Sequence, residues 1–310
     1  MDAMAVILTE PENLSLGRLA ISQPGEADVV VAIDYSGIST GTERLLWSGR
    51  MPPFPGMGYP LVPGYESVGR VISAGAGSGR AEGELVFVPG ANCFGPVRGL
   101  FGGAASRLVV PGARVLPIEE NLGERGALLA LAATAYHAVA AAPPELVVGH
   151  GVLGRLVARI VVAMGAAPPT VWETNPDRAA GGAGYDVRSP DADTRRNYAC
   201  ICDVSGDAAI LDSLIARLAP GGEIVLAGFY ADRLDFSFPP AFMREARLRI
   251  AAQWQKPDLA AVSQLIAAGA LSLDGLITHR TPAAHAPDAY RTAFGDSGCL
   301  KMILDWRACS

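Results

Sequence analysis

The feature that most constrains this chain is a glycine turn near its middle. Gly149-His150-Gly151-Val152-Leu153-Gly154 follows a short apolar run at residues 146–148 and opens a segment carrying Leu153, Leu156, Val157, Ile160, Val161 and Met164. That i, i+3, i+4 spacing gives a helix one apolar face, built to lie on a sheet. In such a strand–turn–helix the first glycine permits the tight turn, the second lets the backbone approach a pyrophosphate, and the third lets helix and strand pack closely. The helix N-terminus adds free N–H groups and a positive dipole end for the anion. A second β-rich run, Thr170-Val171-Trp172-Glu173, ends in an acid placed to accept hydrogen bonds from both ribose hydroxyls and to repel a 2′-phosphate. The turn therefore predicts a dinucleotide site formed by Gly149, Gly151, Val152, Leu153, Gly154 and Glu173, with NAD preferred over NADP. Arg178 completes the candidate set and is the residue that would favour a 2′-phosphate. His150 is read as a carrier of backbone within the turn.

Around this turn the chain alternates. Residues 127–142 are helical in character and stop at Pro143. Strands at 146–148, 170–173, 199–203, 223–227 and 247–252, with helices from Gly154 and over 208–218, predict crossover units and a parallel sheet. The first 120 residues differ, with β-rich runs at 29–33, 68–72 and 85–88 between glycines and prolines. Connections at 51–64 and 92–103 are too long for simple hairpins, and loops of that length are usually functional or poorly ordered. After Gln253 a mixed pattern returns and ends in the apolar run 300–304.

Composition excludes several classes. The 36 glycines and 23 prolines among 310 residues stay below the level that marks low complexity, so a folded, loop-rich protein is expected. A net charge of −6 argues against a nucleic-acid groove. The cysteines (Cys93, Cys200, Cys202, Cys299 and Cys309) are odd in number and scattered, with no CxxC pair. This suits a reducing compartment and leaves no zinc-knuckle spacing, and Cys200 and Cys202 read as core on one strand. Met1-Asp2-Ala3-Met4 lacks the positive start of a signal peptide, and the apolar run from Ala127 is broken by Tyr136, His137, Pro143 and Pro144 before it could span a bilayer. A cytoplasmic protein with no transmembrane segment is expected, with contact at a membrane surface left open.

Longer motifs resemble the medium-chain dehydrogenase/reductase family over nearly the whole chain. They include Val62-Pro63-Gly64-Tyr65-Glu66-Ser67-Val68-Gly69, Thr134-Ala135-Tyr136-His137-Ala138-Val139, Asp203-Val204-Ser205-Gly206, Gly221-Gly222 and Ile277-Thr278-His279-Arg280. The resemblance implies an α/β protein: a GroES-like β-rich catalytic domain, residues 1–133 and 253–310, split in sequence by an inserted Rossmann doubly wound parallel-sheet domain, residues 134–252. His137 and His279 then fall in elements used structurally. Homo-oligomers built through the Rossmann sheets are also implied, with no number fixed.

Where zinc members carry Cys in G-x-C-G-T-D and His in G-H-E, this chain has Gly37-Ile38-Ser39-Thr40-Gly41-Thr42-Glu43 and Gly64-Tyr65-Glu66. Ser39 or Thr40 replaces the cysteine, one extra residue leaving the register open, and Tyr65 replaces the histidine. The four-cysteine structural-zinc lobe is missing as well. Hydroxyls are poor zinc ligands and Glu66 alone would not hold the ion, so no metal is expected. Alcohol oxidation still needs stabilisation of the developing alkoxide, which zinc would supply as a Lewis acid. Tyr65 is the first candidate, as a base if its pKa falls or as a hydrogen-bond donor if it does not, with Thr42 as proton relay. None of the eight tyrosines has a lysine four residues on, so the short-chain Tyr–Lys mechanism is absent.

Two further stretches narrow the resemblance to one group, the bacteriochlorophyllide dehydrogenases. One runs Ser36-Gly37-Ile38-Ser39-Thr40-Gly41-Thr42-Glu43-Arg44-Leu45-Leu46-Trp47 and on through Phe54 to Glu66; the other runs from Pro89 to Ala104. What the likeness implies is oxidation of a 3-(1-hydroxyethyl) side chain on a bacteriochlorin to 3-acetyl, with NAD+ taking the hydride. Phe54, Met57, Tyr59, Phe94 and Phe101 are then candidates to receive a flat apolar tetrapyrrole, and Arg98 or Arg107 to pair its propionate. Two other readings stay open: a zinc-free quinone or enone reductase of the same fold, and a non-catalytic NAD-binding protein.

Overall fold

β-Branched residues draw the first part of the chain into sheets. The strand Asp28–Ile38, rich in Val and Ile, pairs antiparallel with Ser67–Ala74, Arg107–Pro111 and Met302–Asp305. It is the hub of a seven-stranded sheet that also holds His279–Pro282, Leu85–Val88 and Leu116–Pro117. A four-stranded sheet runs in the order Asn13–Ala20, Asp2–Glu10, Leu61–Pro63, Arg98–Leu100. Val6, Val30, Ile38, Val62, Leu108 and Leu304 share one core, sealed by Tyr290 and Trp306. The two long connections of the sequence each contribute a short strand, Leu61–Pro63 and Arg98–Leu100, and these pair in parallel. The computed structural model describes residues 1–53 and 55–309.

The second architecture is a six-stranded sheet, every pair parallel. Its order is Asp186–Arg188, Thr170–Trp172, Leu146–Val148, Tyr198–Asp203, Leu218–Leu226, Arg247–Ile250. Numbered along the chain this is 3-2-1-4-5-6, the doubly wound dinucleotide order. The helix Val152–Ala163 buries Leu156, Val157, Ile160 and Val161, as the spacing predicts. The expected helix over 208–218 is shorter, Leu211–Ile215. Leu218 already pairs with Tyr198 on the neighbouring strand, so the apolar run that reads as the helix's end belongs to the sheet.

The chain divides into two units, Met1–Ala130 with Asp274–Ser310, and Leu131–Leu273. Residues 253–273, which the family resemblance assigns to the first domain, group with the second unit. They hold the helix Lys256–Ala267, started by a capping box between Gln255 and Asp258. Asp258 takes a 2.9 Å hydrogen bond with His137 Nδ1, and Ser272 O accepts from Arg159 at 2.9 Å. Such polar ties leave no trace in apolar periodicity.

Candidate active site

Three chain segments of the first unit converge on a pair of hydroxyls. Ser39 follows the central strand Asp28–Ile38, Tyr65 follows Leu61–Pro63, and Thr42 opens the short helix Thr42–Trp47. Ser39 Oγ and Tyr65 OH lie 2.8 Å apart, and the Thr42 side chain also hydrogen-bonds the phenol. Thr40 sits half-buried between Ser39 and Thr42 in sequence. The exposed ring of Phe101 meets Tyr65 edge-on, centroids 5.6 Å apart.

Beneath the hydroxyls are two buried acids. Glu66 is fully buried and its Oε2 accepts from Lys301 Nζ at 2.6 Å, while the same ammonium donates to Ile38 O at 3.1 Å. Lys301 reaches this place because the strand Met302–Asp305 pairs in register with Asp28–Ile38, Met302 opposite Ile38. Glu43 is 1% exposed; it accepts from Ser39 N at 2.9 Å and from Tyr290 OH at 2.6 Å. Both oxygens of Glu43 are thus used to fix the backbone of Ser39 against the helix Ala286–Gly295, which carries Tyr290.

Burial dominates the electrostatics. Desolvation, reinforced by the charge of Glu66, pushes Tyr65 well above the usual phenol range, and the hydroxyls of Ser39 and Thr42 recover only part of that. Burial lifts Glu43 to about 7 against the hydrogen bonds from Tyr290 and Ser39. It also raises Glu66, against the pull of Lys301. Burial therefore opposes a phenolate at Tyr65, the form that a general base would need. Among the described residues no three His, Cys, Asp or Glu side chains come together as a metal-ligating group.

The residues expected to receive a substrate are spread more widely. Phe101 stands beside Tyr65, but Phe94 is 1% exposed in the core of the first unit and is corrected to a packing residue. Its apolar bulk outweighs its place in a loop, since the ring joins the same core as Val62, Ala91 and Cys93. Met57 and Tyr59 are half-buried against Leu46, Leu61 and Leu100, and Tyr59 OH donates to Leu46 O at 2.5 Å. Arg98 is exposed and donates to Tyr59 O at 3.2 Å, tying the two long loops together. Arg107 donates to Asp2 O. Phe54 lies outside the described residues.

In the second unit the glycine turn has the form its sequence predicts. Gly149 adopts φ +102°, and a Cβ on Gly154 would stand 1.8 Å from Gly149 O, so a side chain at either position is excluded. Around Gly151 nothing lies within 4 Å of a Cβ, and no side chain caps the N-terminus of the helix Val152–Ala163. Open space over a bare Gly151 and uncapped N–H groups near Val152 and Leu153 fit a pyrophosphate. Glu173, at the end of the strand Thr170–Trp172, accepts from His150 N at 3.1 Å and Asn175 N at 2.8 Å. A carboxylate has about four acceptor positions, so two remain for hydroxyls. Arg178 lies in the short helix Pro176–Ala179, half-buried. His150 is more than a backbone carrier: it is fully buried with both ring nitrogens engaged, Nδ1 to Arg178 O and Nε2 to Tyr185 OH.

Residues 25–120 match the alcohol dehydrogenase GroES-like domain. Over 99% of both chains the sequence is 58% identical to 2-desacetyl-2-hydroxyethyl bacteriochlorophyllide A dehydrogenase of Rhodobacter capsulatus. It is 56% identical to the enzyme of the same name in Cereibacter sphaeroides, again over 99% of each. The chain belongs to the medium-chain dehydrogenase/reductase family. Within that family it groups with these two enzymes, and the fold agrees. The structure of 2R,3R-butanediol dehydrogenase from Bacillus subtilis superposes with a TM-score of 0.84 at 19% identity, covering 98% of this chain and 99% of the other.

Sequence reasoning missed Glu43, Tyr290 and Lys301 as parts of the site. Lys301 did carry a signal, since it is one of only two lysines and lies inside the apolar run 300–304. A lone lysine in a buried strand demands a partner. Tyr290 carried none, because its contact with Glu43 spans 247 residues.

Proposed function

We propose that this protein oxidises the 3-(1-hydroxyethyl) side chain of a bacteriochlorophyllide to the 3-acetyl group with NAD+ as hydride acceptor and without zinc. The full-length likeness to two enzymes named for that pigment carries the substrate assignment. The balance is secondary alcohol plus NAD+ to ketone, NADH and a proton.

A bound nicotinamide supplies the hydride acceptor; the chain's own residues bind, orient and manage the proton. Tyr65, kept protonated by burial, donates a hydrogen bond to the carbinol oxygen as negative charge develops there. The carbinol proton leaves through the hydroxyls of Ser39 and Thr42, both of which hydrogen-bond the phenol. Glu66 acts from below, paired with Lys301, as a positioning residue. Hydroxyls in place of thiolate and imidazole make a poor zinc site, which supports metal-free chemistry. Conjugation of the carbinol carbon to the macrocycle delocalises the positive charge that hydride loss creates, which lowers the demand on alkoxide stabilisation. Phe101, Met57 and Tyr59 receive the ring, and Arg98 pairs a propionate.

NAD is preferred over NADP because the Glu173 carboxylate would face a 2′-phosphate. A homo-oligomer is proposed through the edge of the parallel sheet formed by Arg247–Ile250, where Leu248 and Ile250 are exposed, as are Phe238, Phe242 and Met243 of the preceding helix. No helix of the described residues is long and apolar enough to cross a membrane. A reducing cytoplasm suits the five free cysteines.

The test is turnover of 3-(1-hydroxyethyl)bacteriochlorophyllide by purified protein with NAD+, read as NADH absorbance and acetyl pigment. Tyr65→Phe should lower kcat by roughly 100-fold or more while KM changes little, the loss typical of one transition-state hydrogen-bond donor. No acetyl pigment from the wild type, with NADPH-driven reduction of a quinone instead, would transfer the assignment to the reductase reading.

A further inference from the structure

The glycine turn is held by a set of buried polar groups that neither the fingerprint nor the ribose acid requires. Arg155 lies in the first turn of the helix Val152–Ala163 and is 6% exposed. Its Nε donates to His150 O at 3.1 Å, Nη1 to Gly181 O at 3.3 Å, and Nη2 to Arg178 O at 3.1 Å and Ala180 O at 2.8 Å. These four bonds go to main-chain carbonyls, so the guanidinium fork ties the turn to the 178–181 segment instead of neutralising a carboxylate. Gly181 is shaped around it, with φ +89° and a Cβ position 2.3 Å from Nη1.

His150 makes a second tie. Its Nδ1 is 2.6 Å from Arg178 O, and a carbonyl cannot donate, so Nδ1 carries the proton. Burial holds the imidazole below its usual pKa and therefore neutral, which leaves Nε2 as the acceptor for Tyr185 OH at 2.9 Å. The His150 N–H meanwhile binds Glu173 Oε2. The acid, the turn and the segment from Asn175 to Tyr185 thus form one hydrogen-bonded body.

We propose that Arg155, with His150 and Tyr185, is a positioning and specificity-determining residue: this clasp fixes Glu173 at the turn, so that discrimination against a 2′-phosphorylated dinucleotide depends on the clasp as well as on the acid. A carboxylate on a loose loop can swing aside to admit a phosphate, whereas one held between two N–H groups and a clamped loop cannot. The inference rests on the NAD-dependent reading above and deepens it.

Fluorescence titration of NADH and NADPH against wild type, Arg155→Met and Tyr185→Phe tests it without any pigment. Wild type should bind NADH more tightly. Arg155→Met should weaken NADH binding about tenfold and narrow the NADH-over-NADPH ratio about tenfold, the scale of one charge-assisted hydrogen-bond network. Tyr185→Phe, which deletes one hydroxyl, should shift the ratio in the same direction by less. A purely structural role would lower affinity for both dinucleotides and leave the ratio alone. Variants that fold, bind and keep the wild-type ratio overturn the proposal, and if Arg155→Met does not fold, Tyr185→Phe decides. A wild type that binds NADPH more tightly, or neither dinucleotide, removes the NAD reading and this inference with it, an outcome distinct from an unchanged ratio.

Discussion

Replacing Glu43 by glutamine should make the protein more stable above neutral pH and change little in acid. Glutamine has the same shape, keeps an acceptor for Ser39 N–H and can bond the Tyr290 hydroxyl, but it has no charge to desolvate. Glu43 titrates near 7 in the fold against 4.5 for the free side chain, with burial as the main cause and Glu66, Lys301 and Tyr290 as the facing ionisable groups. The folded protein therefore binds this proton more tightly than the unfolded chain. Its stabilising effect is complete below about pH 4.5 and is lost as pH rises through about 7. A shift of that size corresponds to about 3 kcal/mol in all, of which about 2.5 kcal/mol falls between pH 5 and pH 8. Urea unfolding of wild type and Glu43→Gln across that range measures it, because other titrations are common to both chains and cancel in the difference. The stability gap should open with pH in favour of the variant. Parallel curves would mean that Glu43 is charged throughout and that the buried-acid argument for this site is wrong.

Two further perturbations address other parts of the molecule. Lys301→Met strands the fully buried Glu66 carboxylate and should cost about 3–5 kcal/mol by urea unfolding at pH 8, with most of the loss recovered in a Glu66→Leu/Lys301→Met pair; a wild-type midpoint for the single variant would contradict the pairing. Ile250→Arg on the sheet edge should shift the protein to the monomer in sedimentation at micromolar concentration, and a wild type already monomeric there would refute the edge-strand oligomer.

How much of this was legible in the sequence depends on how local the cause is. The glycine turn, its helix and the acid Glu173 are specified within 25 residues by sterics and periodicity, and each stands where the pattern puts it. The family resemblance, not periodicity, placed Tyr65 and either Ser39 or Thr40 at the matched motif positions, and the structure brings the hydroxyls of Ser39 and Tyr65 to 2.8 Å. Failures came where tertiary pairing overrode local signals. Leu218 was drawn into a strand by Tyr198, Phe94 into the core by its bulk, and residues 253–273 into the second unit by hydrogen bonds to His137 and Arg159. Buried polar partners were the least visible, since Arg155 reads as an ordinary helix arginine until its carbonyl partners 23 to 26 residues on are seen.

The buried charges bear on what the hydroxyl pair can do. A tyrosine acts as a base only if its phenolate is stabilised, and here both the loss of solvent and the nearby Glu66 charge oppose that. Lys301, the cation able to offset Glu66, is already bound to it at 2.6 Å. The arrangement therefore favours a donor of fixed geometry over a proton acceptor, and the proton released by oxidation has to leave through the hydroxyls of Ser39 and Thr42 while Tyr65 keeps its own. It follows that kcat should show no ionisation belonging to Tyr65 anywhere near neutrality. A limb in that range whose loss follows Glu43→Gln would instead place the titrating group one layer below the hydroxyls, at the carboxyl that holds the Ser39 backbone.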